Sequence, residues 1–520
     1  MKITFAVLFL CHYIVVSKQV STPEDDYYWA GVVEFSFVEK WSGNVSAEEN
    51  TANNLDKYLE IVRSVEAQPV DIIVFPEYTL NSIDSSSQVP DPEKGIAPCD
   101  DLQYAPIVRD LSCVANATQK YLVVNMVEMV PCDNLRTCPR EDSSEFFNTN
   151  VVFDRSGVVI ARYRKFNLYG EAGISVTPAA EMVTFDTDFG VTFGTIICHD
   201  LIFDLPALGL IRHGITDIIF PTMWFSQLPF LTAAQIQQGW AYKNNVNFLA
   251  AGASNPGVAS TGTGIFAGKR GRIVTVMNHQ DDVKLYVAAV PKVNRPQAVI
   301  KRQPVVKDPV GMKDLMLKRD QIDHYAASDL PLRNNEYYSA TVCQNELCCD
   351  FTLNYTYYYP STTQDFYRYK LLVNDGHDSK GRIACAIVAC TNEMLETCGS
   401  RFEDPTSVVP AIQFNFIDIS GRFPGGDNVF MVPSGVDTSV LPLEVEEFEY
   451  MEHLYVQDGN QTLQIRQQLI LPRSDLLTFG IWGRKFDNED HRDNSDDGAT
   501  STTVSLLTIL FALIATVLTK

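Results

Sequence analysis

The chain is poor in basic residues and in histidine. It has 41 Lys and Arg against 64 Asp and Glu, and 8 His, which gives 520 residues a formal net charge of −23. Nucleic acids and anionic membrane surfaces would repel such a chain, so we expect neither as a partner. It also lacks the H-E-x-x-H and C-x-x-C spacings that are typical of metal sites, and we expect no metal and no cofactor.

Two further patterns are missing. The segment "GASNP" around Ser254 lacks the last glycine of the G-x-S-x-G turn that presents a nucleophilic serine, so a serine hydrolase is disfavoured. Neither terminal apolar run reaches the roughly 20 residues that a membrane-spanning helix requires. These runs therefore predict processing signals rather than permanent membrane helices.

The two chain ends fit a secretory route with a lipid anchor. A Lys near the start, a short apolar core and Ser17 predict a signal peptide over residues 1–17. An acidic stalk over residues 487–503 and an apolar tail over residues 504–520 predict replacement of the tail by a glycosylphosphatidylinositol (GPI) anchor, with a plain transmembrane anchor as the alternative. The candidate attachment residues are Asn494, Ser495 and Asp497.

Glycosylation sequons agree with this route, which leads to the outer face of the cell membrane. Asn-x-Ser/Thr sequons lie at Asn44, Asn116, Asn354 and Asn460, and we expect glycans there.

Cysteine counting singles out one thiol. Of 12 cysteines, Cys11 would leave with the signal peptide, and the odd remainder must include one without a partner in an oxidising compartment. Ten of the others form two clusters, Cys99, Cys113, Cys132 and Cys138, and Cys343, Cys348, Cys349, Cys385, Cys390 and Cys398. Each cluster has an even number and can pair internally, which leaves Cys198.

Two regions differ in their residue patterns. Residues 28–300 alternate apolar runs with amphipathic segments, which predicts an α/β domain, whereas residues 301–486 are rich in aromatics, cysteines and short polar turns, which predicts a β-rich domain. In "NLDKYLEIVRSVEAQ", apolar residues recur at helical spacing from Leu55 to Val65. The following run, residues 72–75, predicts a strand buried on both faces and stopped by Pro76.

A short phrase occurs twice. "VDIIVFP" begins at Val70 and "TDIIFP" at Thr216, each after a segment with helical spacing, the second being "FDLPALGLIRHGI". The repetition suggests internal pseudo-symmetry, with helices covering sheets.

Three chemically active side chains follow predicted strands. Glu77 comes after the first "DII" strand, Lys165 after a predicted hairpin, and Cys198 at the end of "TFGTIIC". Polar groups at such positions converge in layered α/β folds. A carboxylate base, an ammonium group and a thiol are together sufficient for acyl transfer. Taken singly, each residue also has a structural interpretation, such as helix capping or surface charge.

The motifs "FPEYTL", "RYRKFNLYGEAG", "GTIICHD", "FPTMWFSQLPFL" and "LTFGIWGRKF" resemble the nitrilase (carbon–nitrogen hydrolase) superfamily, and within it the vanin and biotinidase branch. The resemblance implies a nitrilase-type four-layer α-β-β-α sandwich, followed by a mostly β, disulfide-rich C-terminal domain. It also implies that Glu77 is the general base, Lys165 stabilises the oxyanion and Cys198 is the nucleophile.

Glu171, His199 and Trp224 are the candidates for substrate binding around this triad. The resemblance implies that Glu171 orients Lys165 or the substrate, and His199 stands where the branch usually has Phe. On an extended chain, the side chain of His199 would point away from Cys198. Trp224 is a candidate for the pocket wall, and Asp200 for the cap of a following helix.

The function implied is hydrolysis of a small-molecule amide through a thioester intermediate, with pantetheine as the favoured substrate. The alternatives are hydrolysis of biotinyl amides and a catalytically idle surface binding protein.

Overall fold

The computed structural model describes residues 20–36, 45–132, 144–295, 298–305, 308, 310–361, 363–377, 380–457 and 459–486. The predicted signal peptide, stalk and GPI tail lie outside these ranges, as do Asn44, Asn494, Ser495 and Asp497. In the described part of the chain, no helix has the length and apolarity needed to cross a membrane.

Two six-stranded sheets form the N-terminal half. Its described strands are β1 (Tyr27–Phe35), β2 (Ile72–Val74), β3 (Tyr121–Pro131), β4 (Ser144–Phe153), β5 (Val159–Arg164), β6 (Thr184–Asp186), β7 (Thr192–Thr195), β8 (Asp217–Thr222), β9 (Gln227–Leu228), β10 (Asn247–Gly252), β11 (Thr263–Ala267), β12 (Arg272–Val276) and β13 (Val283–Pro291). The first sheet has the order β13-β1-β2-β3-β4-β5 and the second the order β12-β11-β10-β8-β7-β6.

Helices cover the outer faces of these sheets. The described α-helices are α1 (Ala47–Arg63), α2 (Pro106–Thr118), α3 (Gly209–Arg212) and α4 (Ala233–Asn244). Successive side chains of a strand face opposite sides of the sheet. Ile73 therefore packs toward α1 and α2, whereas Ile72 packs between the two sheets. On the outer face of the second sheet, Trp240 of α4 packs against Phe248. The predicted α-β-β-α sandwich is confirmed.

The first predicted helix is confirmed, but its predicted end is wrong. Leu55, Tyr58, Leu59 and Val62 of α1 are buried as expected. The helix ends at Arg63 because Ser64 adopts an extended conformation, so Val65 is 72% exposed.

The segment "FDLPALGLIRHGI" is mostly not α-helical, contrary to prediction. Leu205 is extended (φ −111°, ψ 138°) within a π-helical stretch over Asp204–Leu208, and the α-helix that follows is limited to α3. The reason is Pro206, since the ring of proline disfavours helical geometry in the residue before it.

The two copies of the repeated phrase occupy corresponding places. β2 runs parallel to β1 and β3 in the first sheet, and β8 runs parallel to β7 and β10 in the second. Asp71 and Asp217, which precede the repeated isoleucines, are both buried acceptors: Asp71 accepts from Arg155 Nη2 at 2.9 Å and Asp217 from Tyr28 Oη at 2.9 Å. The pseudo-symmetry read from the sequence therefore extends to the sheets.

The C-terminal half consists of two further sheets. Its described strands are β14 (Lys318–Arg319), β15 (Ala326–Asp329), β16 (Asn335–Gln344), β17 (Leu347–Tyr357), β18 (Arg368–Asp375), β19 (Arg382–Cys390), β20 (Ile412–Pro424), β21 (Val429–Asp437), β22 (Phe448–Gln457), β23 (Asn460–Leu469) and β24 (Leu476–Lys485). The five-stranded sheets have the orders β15-β18-β19-β24-β21 and β16-β17-β20-β23-β22, while β14 pairs with β9. The predicted mostly β domain is confirmed.

Disulfides follow the predicted clusters. Cys343–Cys348, Cys349–Cys385 and Cys390–Cys398 join the C-terminal domain, and Cys99–Cys113 joins the N-terminal one. Cys132 is also disulfide-bonded, while Cys138 lies outside the described residues. Among the cysteines that the structure describes, Cys198 alone is free, and it is buried. Its selection by counting is confirmed.

Candidate active site

The three predicted side chains emerge where strands of both sheets end. Glu77 lies three residues beyond β2, and Lys165 directly follows β5, both in the first sheet. Cys198 lies three residues beyond β7 in the second sheet. The site is therefore formed where the two packed sheets meet.

Lys165 lies between two carboxylates. Its Nζ is 2.8 Å from Oε1 of Glu77 and also forms an ion pair with Glu171. Asn148 Nδ2 donates to both acids, at 2.8 Å to Glu77 Oε1 and at 3.1 Å to Glu171 Oε2. One ammonium and one amide thus fix the two carboxylates relative to each other.

The charges of this cluster stabilise each other. Burial by itself would lower the pKa of Lys165, but the carboxylates of Glu171 and Glu77 raise it well above its ordinary value. Burial would raise the pKa of Glu171, yet the charge of Lys165 and the hydrogen bonds from Lys165, Tyr78 and Asn148 hold it below its ordinary value. Lys165 is therefore a cation, and Glu171 an anion, at neutral pH.

Cys198 is held in a strained turn close to this cluster. Its φ of 44° places it in the left-handed region, at the start of a 3₁₀ turn over Cys198–Ile202. Its Sγ is 3.7 Å from the carbonyl oxygen of Met223, whose N–H donates to Glu77 Oε2 at 2.7 Å. One peptide segment therefore contacts both the thiol and the carboxylate.

Burial raises the pKa of the Cys198 thiol, and the nearby carboxylate of Glu77 raises it further. The thiol is protonated at neutral pH. It needs a base at the moment it attacks a carbonyl carbon.

His199 does not point away from Cys198, contrary to prediction. Both residues line the same pocket, because the left-handed turn at Cys198 ends the extended chain that the prediction assumed. The His199 ring packs edge-on against Tyr169 and Phe203, and its Nδ1 lies 3.1 Å from the carbonyl oxygen of Leu168. Burial and the charges of Lys165 and Arg484 lower its pKa well below the ordinary value, so the imidazole is neutral.

Trp224 also lines this pocket, and its indole donates to the carbonyl oxygen of Leu231 at 2.8 Å. The pocket is completed by residues that sequence reasoning did not connect with it, including four from the C-terminal domain: Lys380, Arg382, Trp482 and Arg484. Nothing in the local sequence pattern could have indicated them, since they lie more than 150 residues from the triad.

Other positioning residues were also missed. Tyr78 Oη donates to Glu171 Oε2 at 2.6 Å, and its backbone N–H donates to Asn125. The only sequence feature that could have indicated Tyr78 was its position next to Glu77. Asn148 belongs to no recognisable sequence motif. It lies beside Lys165 because β4 pairs with β5.

Asp200 caps the 3₁₀ turn that begins at Cys198, and it does so from the third position of that turn. Its carboxylate accepts from the Ile197 N–H at 3.0 Å, and also from Tyr163 Oη at 2.7 Å and from Asn167 N–H at 2.9 Å. It thereby connects the turn at Cys198 to the segment around Lys165. Burial raises the pKa of Asp200 to about 6.

Comparisons with known proteins cover almost the whole chain. The carbon–nitrogen hydrolase family model matches residues 43–294, and the vanin C-terminal domain model matches residues 315–489. Vanin-like protein 1 of Drosophila melanogaster is 38% identical over 504 residues, which cover 91% of this chain and 88% of that protein. The chain belongs to the vanin family of carbon–nitrogen hydrolases.

More distant relatives of this chain carry enzyme names. Pantetheinase of Homo sapiens is 29% identical, and the match covers 90% of this chain and 90% of that protein. Biotinidase of Takifugu rubripes is 30% identical, over 74% of this chain and 83% of that protein. Among solved structures, an amidase from Nesterenkonia sp. is 14% identical with a TM-score of 0.38, over 53% of this chain and 94% of that one. By its family, this chain is a carbon–nitrogen hydrolase.

Proposed function

We propose that the chain hydrolyses a linear carboxamide through a thioester on Cys198. Glu77 accepts the thiol proton while Sγ attacks the carbonyl carbon, and Lys165 with the backbone N–H of His199 stabilises the oxyanion. The C–N bond then breaks, and the amine leaves with the proton that Glu77 held. Glu77 next removes a proton from water, whose oxygen attacks the thioester. The C–S bond then breaks, Glu77 returns its proton to the Cys198 sulfur, and the carboxylic acid departs.

The cluster of Glu77, Lys165 and Glu171 beside the buried thiol supports this mechanism most directly. A thiol with a raised pKa needs a base, and Glu77 accepts from the N–H of Met223, the residue whose carbonyl oxygen the thiol contacts. Lys165 supplies a fixed positive charge in a site where low polarity strengthens electrostatic stabilisation. Glu171 acts as a positioning residue that keeps Lys165 in place.

Pantetheine is the substrate that we favour, with pantothenate and cysteamine as products. Relatives named pantetheinase match over about nine tenths of the chain. Aromatic side chains line the pocket that contains Cys198. Biotinyl amides are the alternative, since a relative named biotinidase is 30% identical. A binding protein without catalysis is disfavoured by the ion-paired cluster around Lys165.

The purified protein should release cysteamine from pantetheine faster than it releases lysine from biocytin. During turnover, acid quenching should leave a pantothenoyl group on the peptide that contains Cys198, detectable by mass spectrometry. Cys198→Ala should show neither turnover nor adduct. Undiminished hydrolysis by this variant would exclude the mechanism, and faster hydrolysis of biocytin would favour the alternative substrate.

We also propose the secretory route and the GPI anchor. The disulfides are consistent with an oxidising compartment. Asn116 on α2 and Asn460 on β23 are exposed, whereas Asn354 is half-buried and accepts from Asn415 at 2.9 Å. We therefore expect glycans first at Asn116 and Asn460.

A phosphatidylinositol-specific phospholipase should release the protein from intact cells into the medium. Retention on the cells after this treatment, with a known GPI protein released in parallel, would favour the transmembrane alternative.

A further inference from the structure

One wall of the active-site pocket is basic, although the chain as a whole is strongly acidic. Lys380, Arg382 and Arg484 line the pocket, and none of its described lining residues is Asp or Glu. Arg382 forms an ion pair with Asp320. The guanidinium of Arg484 lies 4.2 Å from the ring centre of Phe203. The C-terminal domain thus contributes positive charge to the pocket that holds Cys198.

Lys318 adds a cation beside the aromatic wall of the pocket. Its strand, β14, pairs with β9, and its Nζ lies 4.4 Å from the ring centre of Phe225 and 5.7 Å from that of Tyr169. Both rings line the pocket. Lys318 makes no ion pair within the described part of the chain, and burial alone lowers its pKa. A half-buried ammonium of this kind gains from an anionic neighbour.

Trp482 provides an independent indication. It is 1% exposed and lines the pocket, yet its indole Nε1 has no hydrogen-bond acceptor among the described residues. An indole N–H can only donate, and a buried donor without an acceptor costs free energy. An oxygen atom of a ligand in the pocket would supply the acceptor.

We propose that the pocket selects amides that carry an anionic oxygen group, a carboxylate or a phosphate, and that Lys318 and Trp482 bind this group. The inference rests on the proposed amide hydrolysis but goes beyond it, because pantetheine is uncharged and has no anionic group that could pair with Lys318. A carboxylate or phosphate accepts from both the ammonium and the indole N–H. The C-terminal domain is then part of the specificity site.

Three related amides test this selection. Pantetheine is the neutral reference, N-pantothenoylcysteine adds a carboxylate on the leaving amine, and 4′-phosphopantetheine adds a phosphate on the acyl side. We expect kcat/KM for at least one anionic amide to exceed that for pantetheine by about fivefold, and the ratio to fall as ionic strength rises. The anionic amide with the higher kcat/KM shows whether the pocket binds a carboxylate on the leaving amine or a phosphate on the acyl side.

Variants then assign the preference to residues. Lys318→Met and Trp482→Phe should each bring the ratio of anionic to neutral kcat/KM close to unity, and Lys318→Arg should keep it. Lys313→Met is the matched control, because this exposed lysine lines a different cavity. Equal kcat/KM for all three amides, or an unchanged ratio in Lys318→Met, would overturn the proposal.

Binding measurements distinguish a failure of anion selection from a failure of the proposed amide hydrolysis. Dissociation constants of the same amides for Cys198→Ala, measured by calorimetry, report anion preference without turnover. Tighter binding of an anionic amide with no hydrolysis by the wild type would count against the mechanism alone. Hydrolysis with no difference in binding would count against anion selection alone.

Discussion

Replacing Glu77 by Gln should lower kcat for amide hydrolysis by about a thousandfold, which is the range expected for loss of a general base. The Cys198 thiol is buried and its pKa is raised, so little thiolate forms without a base. Glutamine preserves the size of the side chain but accepts no proton. Steady-state kinetics and the rate of acyl-adduct formation both measure the effect.

Glu34→Gln is the matched control for this change. Glu34 is fully buried in β1 and is not among the pocket-lining residues, and burial raises its pKa to about 7. Glutamine therefore replaces a carboxyl group that is partly protonated at neutral pH and lies outside the pocket, and kcat should stay within about twofold of the wild type. If Glu77→Gln kept more than a tenth of wild-type kcat, Glu77 would not be the base.

Replacing Lys165 by Met should both lower activity strongly and destabilise the fold. The oxyanion would lose its charged partner, at a cost of about a hundredfold or more in kcat. Glu77 and Glu171 would also share a buried site without their cation, and breaking a buried ion pair costs about 3–5 kcal/mol in the free energy of unfolding. Urea unfolding and steady-state kinetics measure the two effects separately.

The double variant Lys165→Met/Glu171→Gln distinguishes stability from catalysis. Removing one of the two carboxylates relieves their repulsion, so we expect much of the lost stability to return while kcat stays low. Recovery of activity in the double variant, or wild-type stability of Lys165→Met, would contradict the ion-paired arrangement.

The stability contributed by Glu171 should depend on pH. Its folded pKa is lowered, so this stability is present above the unfolded pKa and is lost as pH falls through the folded pKa. Lys165→Met should weaken this acid dependence, because the charge of Lys165 is the largest interaction that holds the pKa of Glu171 down. Urea unfolding across the acidic range measures the difference.

Local patterns in the sequence determined a large part of this protein. The spacing of Leu55, Tyr58 and Val62 determined a helix with one buried face. The apolar run before Pro76 determined a buried strand. Cysteine parity separated Cys198 from the disulfides. These features succeed because each depends on short-range periodicity or on chain composition, which tertiary contacts here did not change.

Tertiary structure decided what surrounds the nucleophile. The left-handed turn at Cys198 brings His199 into the pocket, and strand pairing brings Asn148 between Glu77 and Glu171. The basic wall with Trp482 comes from packing of the C-terminal domain against the nucleophile's turn. No local pattern encodes such contacts, because they join residues far apart in the chain whose proximity depends on how the sheets and domains pack together.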